Sequence, residues 1–304
     1  MEVQPTRELI QLSPGPGYRT IAQQVRRGEL VRLRRGAVRD AGELTPEQRL
    51  RLEIEATARV LHCGTWFSHR SAALLHGLPV FILPSTVPEV IRTFGGHGER
   101  SHRLHSRAAE LLPDECHLLD GLPVTSVVRT VIDLARLLPF PQTLMAVDVA
   151  LARGITRECL LAGIRPGRGA KQVERAMLAG DALSESPGES ESRGVMICAG
   201  LPLPALQVCL YDRDGQFLAR PDFFWKDRGI VGEYDGEGKY AGAFGEAPER
   251  VFQSEKRRQA ALEAEGYFVL RWGKEVLRQP GELARRLRRA LASRPPRAAY
   301  QPPA

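Results

Sequence analysis

Acidic side chains at the ends of two short apolar runs are the residues best suited to chemistry. Asp222 precedes the aromatic run 223–225, a polar turn spans 226–229, and a second apolar run leads to Glu233 and Asp235. Alternate side chains of a strand share a face, so Glu233 and Asp235 point the same way and a neighbouring strand can place Asp222 opposite them. Clustered carboxylates repel one another unless a cation lies between them, and Mg²⁺ or Mn²⁺ is suited to oxygen ligands. The sequence therefore predicts a hairpin with a metal site.

The same acids belong to an ordered set of motifs within residues 184–292. The set comprises Ser186-Pro187-Gly188-Glu189-Ser190, Gly200-Leu201-Pro202-Leu203-Pro204, Pro221-Asp222, Glu233-x-Asp235, Glu255-Lys256-Arg257-Arg258 and Gly266-Tyr267-Phe268-Val269-Leu270-Arg271. It resembles the PD-(D/E)XK nuclease superfamily, and most closely its branch similar to the very-short-patch repair endonucleases. The resemblance implies an α/β (α+β) domain with a restriction-endonuclease-like mixed sheet flanked by helices.

The resemblance also implies a reaction, the hydrolysis of phosphodiester bonds. Asp222 and Glu233 would bind one or two Mg²⁺ ions, and Glu189 would complete the metal site, with Glu185 one turn earlier as the alternative. A metal in such a site lowers the pKa of an attacking water and offsets charge on the phosphate.

One position departs from the family pattern. The third motif usually ends in a lysine two residues after the glutamate, and Asp235 stands there instead. Lys239 could take over that role, because the glycines around it relax the backbone. Lys256 is a second candidate. The predicted catalytic set is therefore Asp222, Glu233, Asp235 and Lys239.

This departure keeps other functions open. A non-catalytic antitoxin-like regulator, in which the nuclease fold has decayed to a scaffold, is the main rival to an endonuclease. Asp235-Gly236 is also typical of an ordinary turn. A nuclease directed at RNA is a third hypothesis, because no residue pattern identifies a reader of the 2′-hydroxyl group.

Basic side chains are concentrated near the N-terminus. Six arginines and one acid, Glu29, lie between residues 26 and 39: Arg26, Arg27, Arg32, Arg34, Arg35 and Arg39. The pattern predicts a helix that ends at Gly28 and a short basic hairpin over residues 30–36. Across residues 5–42 it resembles the winged-helix domain of the antitoxins of abortive-infection type IV toxin-antitoxin systems.

That second resemblance implies DNA as the partner, with a cognate toxin as a further one. A helix would enter a groove while arginines contact phosphates. The predicted nucleic-acid-binding residues are Arg26, Arg27, Arg32, Arg34 and Arg35, together with Lys256, Arg257 and Arg258 on the helix after the metal site. A basic wing that binds another protein is the alternative.

The chain is predicted to contain five segments. They are a winged-helix domain over 1–44, a mostly α-helical middle domain over 45–165, a linker or helix over 166–183, the nuclease-like domain over 184–293 and a disordered tail over 294–304. The middle domain opens with the capping box Thr45-Pro46-Glu47-Gln48. Its residues give no direct indication of function.

Composition limits the remaining possibilities. The net charge of +7 and pI near 9.4 suit a polyanionic partner. No segment is apolar enough to span a membrane and the N-terminus lacks a signal-peptide pattern, so we expect a cytoplasmic protein without a membrane partner. The five cysteines have no C-x-x-C spacing. We expect them to be reduced and mostly buried.

Overall fold

A computed structural model describes residues 10–11, 18–34, 37–94, 98–236 and 248–294 of the chain. The chain divides into a first unit, residues 1–137 with 162–166, and a second unit, residues 138–161 with 167–304. Helices and mixed sheets are both present, which confirms the α/β (α+β) class. The division differs from the predicted segments, because residues 1–44 and most of the middle segment belong to one unit.

The first unit contains four α-helices and nine strands among its described residues. They are β1 Ile10–Gln11, α1 Tyr18–Arg26, β2 Leu30–Arg34, β3 Ala37–Asp40, α2 Pro46–Ala58, β4 Thr65–Phe67, α3 His69–Leu75, β5 Glu89–Arg92, β6 Glu99–Arg100, β7 His105–Ala108, β8 Cys116–Leu119, β9 Leu122–Thr125 and α4 Val127–Leu137.

The basic N-terminal segment forms the predicted helix and hairpin. Helix α1 ends at Arg26, and Gly28 then adopts a φ of +73°, a left-handed conformation that favours glycine. Strands β2 and β3 pair antiparallel, with Val31 opposite Arg39, and β1 pairs with the other edge of β3. A three-stranded sheet of order β1-β3-β2 results.

A six-stranded sheet occupies the centre of the first unit. Its order is β6-β7-β5-β4-β9-β8, with β5 parallel to β7 and β4 parallel to β9. The core beside it includes Leu50 and Ile54 of α2 with Phe67 of β4. The predicted capping box of Thr45 and Gln48 begins α2. The prediction of a mostly helical middle segment was incomplete, because strands of two to four residues are too short to show a clear period.

The second unit contains seven helices and six strands among its described residues. They are α5 Phe140–Ala152, α6 Arg157–Ala162, α7 Ala170–Ala179, α8 Pro187–Cys198, β10 Ala205–Leu206, β11 Leu210–Tyr211, β12 Phe217–Ala219, β13 Phe223–Trp225, β14 Ile230–Asp235, α9 Pro248–Ala264, β15 Phe268–Gly273, α10 Lys274–Leu277 and α11 Glu282–Ser293.

Four strands of the second unit form a mixed sheet of order β10-β13-β14-β15. The predicted hairpin is β13 and β14, which pair antiparallel. Strand β15 runs parallel to β14, as the crossover through α9 requires. Alternation along β14 places Ile230 in a core with Met196 of α8 and Leu287 of α11, whereas Val231 packs with Leu262 of α9. Both faces of the sheet are therefore covered by helices.

Helix α8 is fixed by a buried ion pair with α5. Nη2 of Arg193 lies 2.8 and 2.9 Å from the two carboxylate oxygens of Asp148, which is 0% exposed. Burial raises the pKa of Asp148 despite this partner. The helices also touch closely, because a Cβ at Gly194 would lie 2.4 Å from Cα of Pro141. This contact determines where the N-terminus of α8 lies.

Further sequence predictions concern the surface. Cys63, Cys159, Cys198 and Cys209 are exposed and only Cys116 is partly buried, so the expectation of mostly buried thiols was wrong. All five are free thiols, as predicted. Within the ranges described above, no helix has both the length and the apolarity needed to cross a bilayer. The tail residues 295–304 lie outside those ranges.

We predict that Asp148→Ala destabilises the second unit by about 3–5 kcal/mol, because it leaves a buried arginine without its counter-ion. Urea unfolding of the full chain in a Trp66→Phe background would measure this, since the remaining tryptophans, Trp225 and Trp272, lie in the second unit. Asp227→Ala is the control: its carboxylate, 61% exposed, pairs with Arg228 at 3.2 Å, and its loss should cost less than about 1 kcal/mol. Equal losses in the two variants would contradict the assignment.

Candidate functional site

The first turn of α8 places Glu189 next to the sheet. Ser186 caps the helix by accepting a hydrogen bond from the Glu189 backbone N–H at 3.2 Å, and Pro187 occupies the first helical position. The next residue must be glycine, because a Cβ at Gly188 would lie 2.0 Å from the Tyr234 ring. The absence of a side chain at Gly188 therefore lets the helix approach β14.

A hydrogen-bonded chain of side chains holds α8 in this place. The indole N–H of Trp272, on β15, donates to Oγ of Ser192 at 2.8 Å, and that hydroxyl donates to the Gly188 carbonyl at 2.6 Å. Both Trp272 and Ser192 are buried. Glu189, 6% exposed, is thus presented by a helix that cannot easily rotate.

Asp222 approaches from the start of β13. Its Oδ2 accepts a hydrogen bond from the backbone N–H of Tyr234 at 2.7 Å, which joins the carboxylate to the C-terminal end of β14. The register pairs Phe223 with Gly232, so Asp222 precedes the last cross-strand pair of the hairpin. The sequence predicted the strand end, and the structure supplies the hydrogen bond that orients the side chain.

Gln207 joins the two carboxylates. Its Nε2 donates to Oε2 of Glu189 at 3.0 Å and approaches Oδ1 of Asp222 at 3.4 Å. Gln207 has a φ of +53°, a left-handed conformation that is uncommon for a residue other than glycine, asparagine or aspartate. Sustained strain of this kind often marks a functional position.

Sequence reasoning missed Gln207. A glutamine carries no charge and belongs to none of the acidic motifs, so its type gave no signal. Its position could have been inferred only from the pairing of β10 with β13, which places Leu206 opposite Phe223 and brings the next residue to Asp222.

The two carboxylates interact electrostatically. Burial raises the pKa of Glu189 and the negative charge of Asp222 raises it further, whereas hydrogen bonds from Glu185, Ser186 and Gln207 oppose the rise. Among the arginines and lysines whose side chains the structure describes, none forms an ion pair with either carboxylate, although the pKa of Arg220, raised mainly by its hydrogen bond to Glu185, is raised further by the charge of Asp222. The neutral side-chain amide of Gln207 therefore links the carboxylates of Glu189 and Asp222.

Glu233 has different partners from those predicted. It is 3% exposed and pairs with Nη2 of Arg258 at 2.9 Å and with Nη2 of Arg271 at 2.9 Å. Arg271 stands directly beside it, because the parallel register of β14 and β15 pairs the two residues. Arg258 reaches it from α9. Arg258, predicted to contact phosphate, thus pairs with a carboxylate through one part of its guanidinium group.

The predicted three-ligand set is not assembled by the described part of the chain. The structure brings Glu189 and Asp222 together, whereas Glu233 forms ion pairs with Arg258 and Arg271. Among the residues whose side chains the structure describes, no group of three histidine, cysteine, aspartate or glutamate side chains is arranged to hold a metal. The physical reason is the strand register, which sets Arg271 beside Glu233.

The remaining predicted residues of the second unit lie on its surface or outside the described ranges. Asp235 is half-buried at the end of β14. Lys256 and Arg257 are exposed on α9, and Lys239 lies outside the described residues. Glu185, the alternative to Glu189, pairs instead with Arg220 at 2.7 and 2.9 Å.

The predicted DNA-binding arginines of the first unit divide into two groups. Arg26, Arg27 and Arg32 are exposed. Arg34 is half-buried and donates to the Arg103 carbonyl at 2.7 Å, and burial lowers its pKa. Arg35 lies outside the described residues.

The donor set of the Glu189–Asp222 pair suits Mg²⁺ or Mn²⁺. Both ligands are carboxylate oxygens, and Mg²⁺ is commonly bound through one or two carboxylates while it keeps several waters. A cation would also offset the repulsion that raises the pKa of Glu189. The residues therefore fit a hard divalent ion with two protein ligands.

Comparison with known proteins finds relatives but no family. No family model matches the chain. Two proteins of Mycobacterium tuberculosis are similar to it, the uncharacterized protein Rv2248 of strain H37Rv and the uncharacterized protein MT2308 of strain CDC 1551. Each is 34% identical over 179 residues, or 57% of this chain and 63% of the relative. The chain thus spans less than two thirds of these relatives, whose names state no activity.

We predict that two substitutions move the pKa of Glu189 in opposite directions. Asp222→Asn removes a like charge and lowers it, whereas Gln207→Ala removes a hydrogen bond to the ionised form and raises it. Carboxyl ¹³C titration by NMR would measure both shifts, with Glu189→Gln to identify the resonance. A pKa that is unchanged in Asp222→Asn would show that the two carboxylates do not interact.

Proposed function

We propose that this chain is a DNA-binding protein whose second unit hydrolyses phosphodiester bonds with Mg²⁺ or Mn²⁺. The observation that supports this most is the pair Glu189 and Asp222, joined by the Gln207 amide and without an ion pair to any arginine or lysine whose side chain the structure describes. Two such acids cost stability, because burial and repulsion oppose their charges. A metal-binding role accounts for that cost.

In this proposal each side chain has a defined task. Glu189 and Asp222 would hold the ion, which when bound would lower the pKa of a water and offset phosphate charge. Gln207 keeps the two carboxylates together, and the Tyr234 backbone N–H orients Asp222. Arg258, with a side chain 35% exposed, would present positive charge to a phosphate while Glu233 holds it in place.

The N-terminal unit supplies the proposed contact with DNA. Arg26 and Arg27 at the end of α1 and Arg32 on β2 are exposed and carry three positive charges on one helix and the adjoining hairpin. Arginine contacts to phosphates provide affinity and orientation without reading sequence. Their side chains are therefore suited to a nucleic-acid backbone.

A specific observation favours a second function, a non-catalytic antitoxin-like regulator. Glu233 is buried between Arg258 and Arg271, and Asp235 stands where the resembled nucleases carry lysine. An acid that already neutralises two arginines has less capacity to bind a metal. In this alternative the second unit is a binding scaffold, and a cognate toxin is its partner.

We predict that the purified chain nicks or cuts supercoiled plasmid DNA in the presence of Mg²⁺. Asp222→Asn should lower the rate by about 100-fold or more, since several kcal/mol of transition-state stabilisation depend on the metal. Asp227→Asn, in the turn between the same two strands, is the matched control and should retain activity. Single-stranded DNA and RNA substrates test the choice of nucleic acid.

Calorimetry with Mn²⁺ separates the two functions. A hydrolase should release or absorb heat that disappears in Asp222→Asn and persists in Asp227→Asn. A scaffold should give no carboxylate-dependent heat and no cleavage. Cleavage that persists in Asp222→Asn would remove the proposed site whatever the calorimetry shows.

We also predict a salt dependence of DNA binding that involves the exposed arginines. Each of the single substitutions Arg26→Gln, Arg27→Gln and Arg32→Gln should reduce the magnitude of the slope of log K for DNA association against log [salt] by about 1. Fluorescence anisotropy with duplex DNA would measure the slope. Arg39→Gln is the control, because Nη1 of Arg39 donates to the carbonyls of Asp40 and Gly42 on the same hairpin. Unchanged slopes in all three variants would contradict a phosphate contact.

A further inference from the structure

The first unit contains a cleft of about 420 Å³, and none of its lining residues belongs to the proposed nuclease site. Its wall comes from the six-stranded sheet, helix α4 and residues 163–166. The charged and polar residues that line it are His69, Arg107, Glu110, Glu115, Arg129, Asp133, Arg136 and Arg165. Its volume falls within the roughly 300–1,000 Å³ of small-molecule sites.

Two acids in the lining of the cleft, Glu115 and Asp133, are neutralised by arginines. Glu115 accepts hydrogen bonds from Arg129, at 3.2 Å, and from Arg165, and Asp133 accepts from Nε of Arg129 at 3.1 Å. Burial raises the pKa of Asp133 to about 6. These acids and arginines neutralise one another, so they contribute little net charge to the cleft.

The guanidinium group of Arg107, which also lines the cleft, has incomplete hydrogen bonding. Nη2 of Arg107 donates to Oε1 of Glu89 at 3.2 Å, and Glu89 also approaches Arg70 at 3.7 Å. Nη1 of Arg107 is buried and has no hydrogen-bond partner within the described ranges. A buried donor without an acceptor is costly. The Arg107 side chain as a whole is 28% exposed and lines the cleft.

His69 lies on the same wall in an unusual conformation. It is 7% exposed, has a φ of +51° at the start of α3, and shares a hydrogen bond between Nδ1 and the Ser68 hydroxyl at 2.9 Å. Nε2 is the ring nitrogen that remains for a ligand. Burial lowers the pKa of His69, and the charges of Arg107, Arg129 and Arg70 lower it further.

We propose that this cleft binds a small organic oxyanion, a phosphate or a carboxylate, on Arg107 and His69. Guanidinium groups match the geometry of both oxyanions, and four of them, those of Arg107, Arg129, Arg136 and Arg165, line this cleft. The apolar wall from Ile132 and Leu137 accommodates the uncharged part of the ligand. The site is independent of the metal chemistry proposed for the second unit.

Calorimetry on the full chain with three probes tests this proposal: inorganic phosphate, adenosine monophosphate and succinate. Binding of either phosphate-containing probe identifies a phosphate site, and binding of succinate alone identifies a carboxylate site. Both outcomes support the oxyanion. No heat from any probe at millimolar concentration would overturn it.

Matched variants locate the binding. Arg107→Gln and His69→Asn, the latter because asparagine tolerates a left-handed φ, should each weaken binding about tenfold or more. Arg100→Gln, an exposed arginine on strand β6 of the same sheet, should leave binding unchanged. Circular dichroism confirms that each variant is folded. Folded Arg107→Gln and His69→Asn proteins that bind as tightly as the wild type would also overturn the proposal.

Discussion

The position of helix α8 is the constraint on which the candidate site depends. The buried ion pair of Arg193 with Asp148 fixes one side of the helix, and the Trp272–Ser192 hydrogen bond fixes it to the sheet. Because a buried ion pair has strict geometry, the helix has little freedom to slide or rotate. Glu189 reaches Asp222 as a consequence of that rigidity, and Gly188 allows the approach.

Acids held between two arginines recur in both units. Glu89 contacts Arg70 and Arg107, Glu115 contacts Arg129 and Arg165, and Glu233 contacts Arg258 and Arg271. The arrangement satisfies buried carboxylates in an arginine-rich chain. Several arginines that contribute to the net charge of +7 therefore neutralise buried glutamates. The net charge thus overstates the basic surface that is available to nucleic acid.

The pair Glu189 and Asp222 differs from this arrangement, because no arginine whose side chain the structure describes is paired with either carboxylate. Here a neutral amide joins two carboxylates, and Gln207 must adopt a left-handed backbone to provide it. A structural acid pair could have been compensated by arginine, as the other buried glutamates are. Among the buried glutamates of the described residues, only Glu189 has no ion pair, which supports a role for an external cation.

The sequence by itself determined the features that depend on neighbours along the chain. The hairpin of β13 and β14 and the capping box at Thr45 follow from alternation and from local turn and capping residues. Only the tertiary structure decided the partners of Glu233 and the role of Gln207, and it alone assembled the six-stranded sheet. Local periodicity specifies which face of an element is buried, but strand pairing between residues distant in sequence decides which side chains meet there.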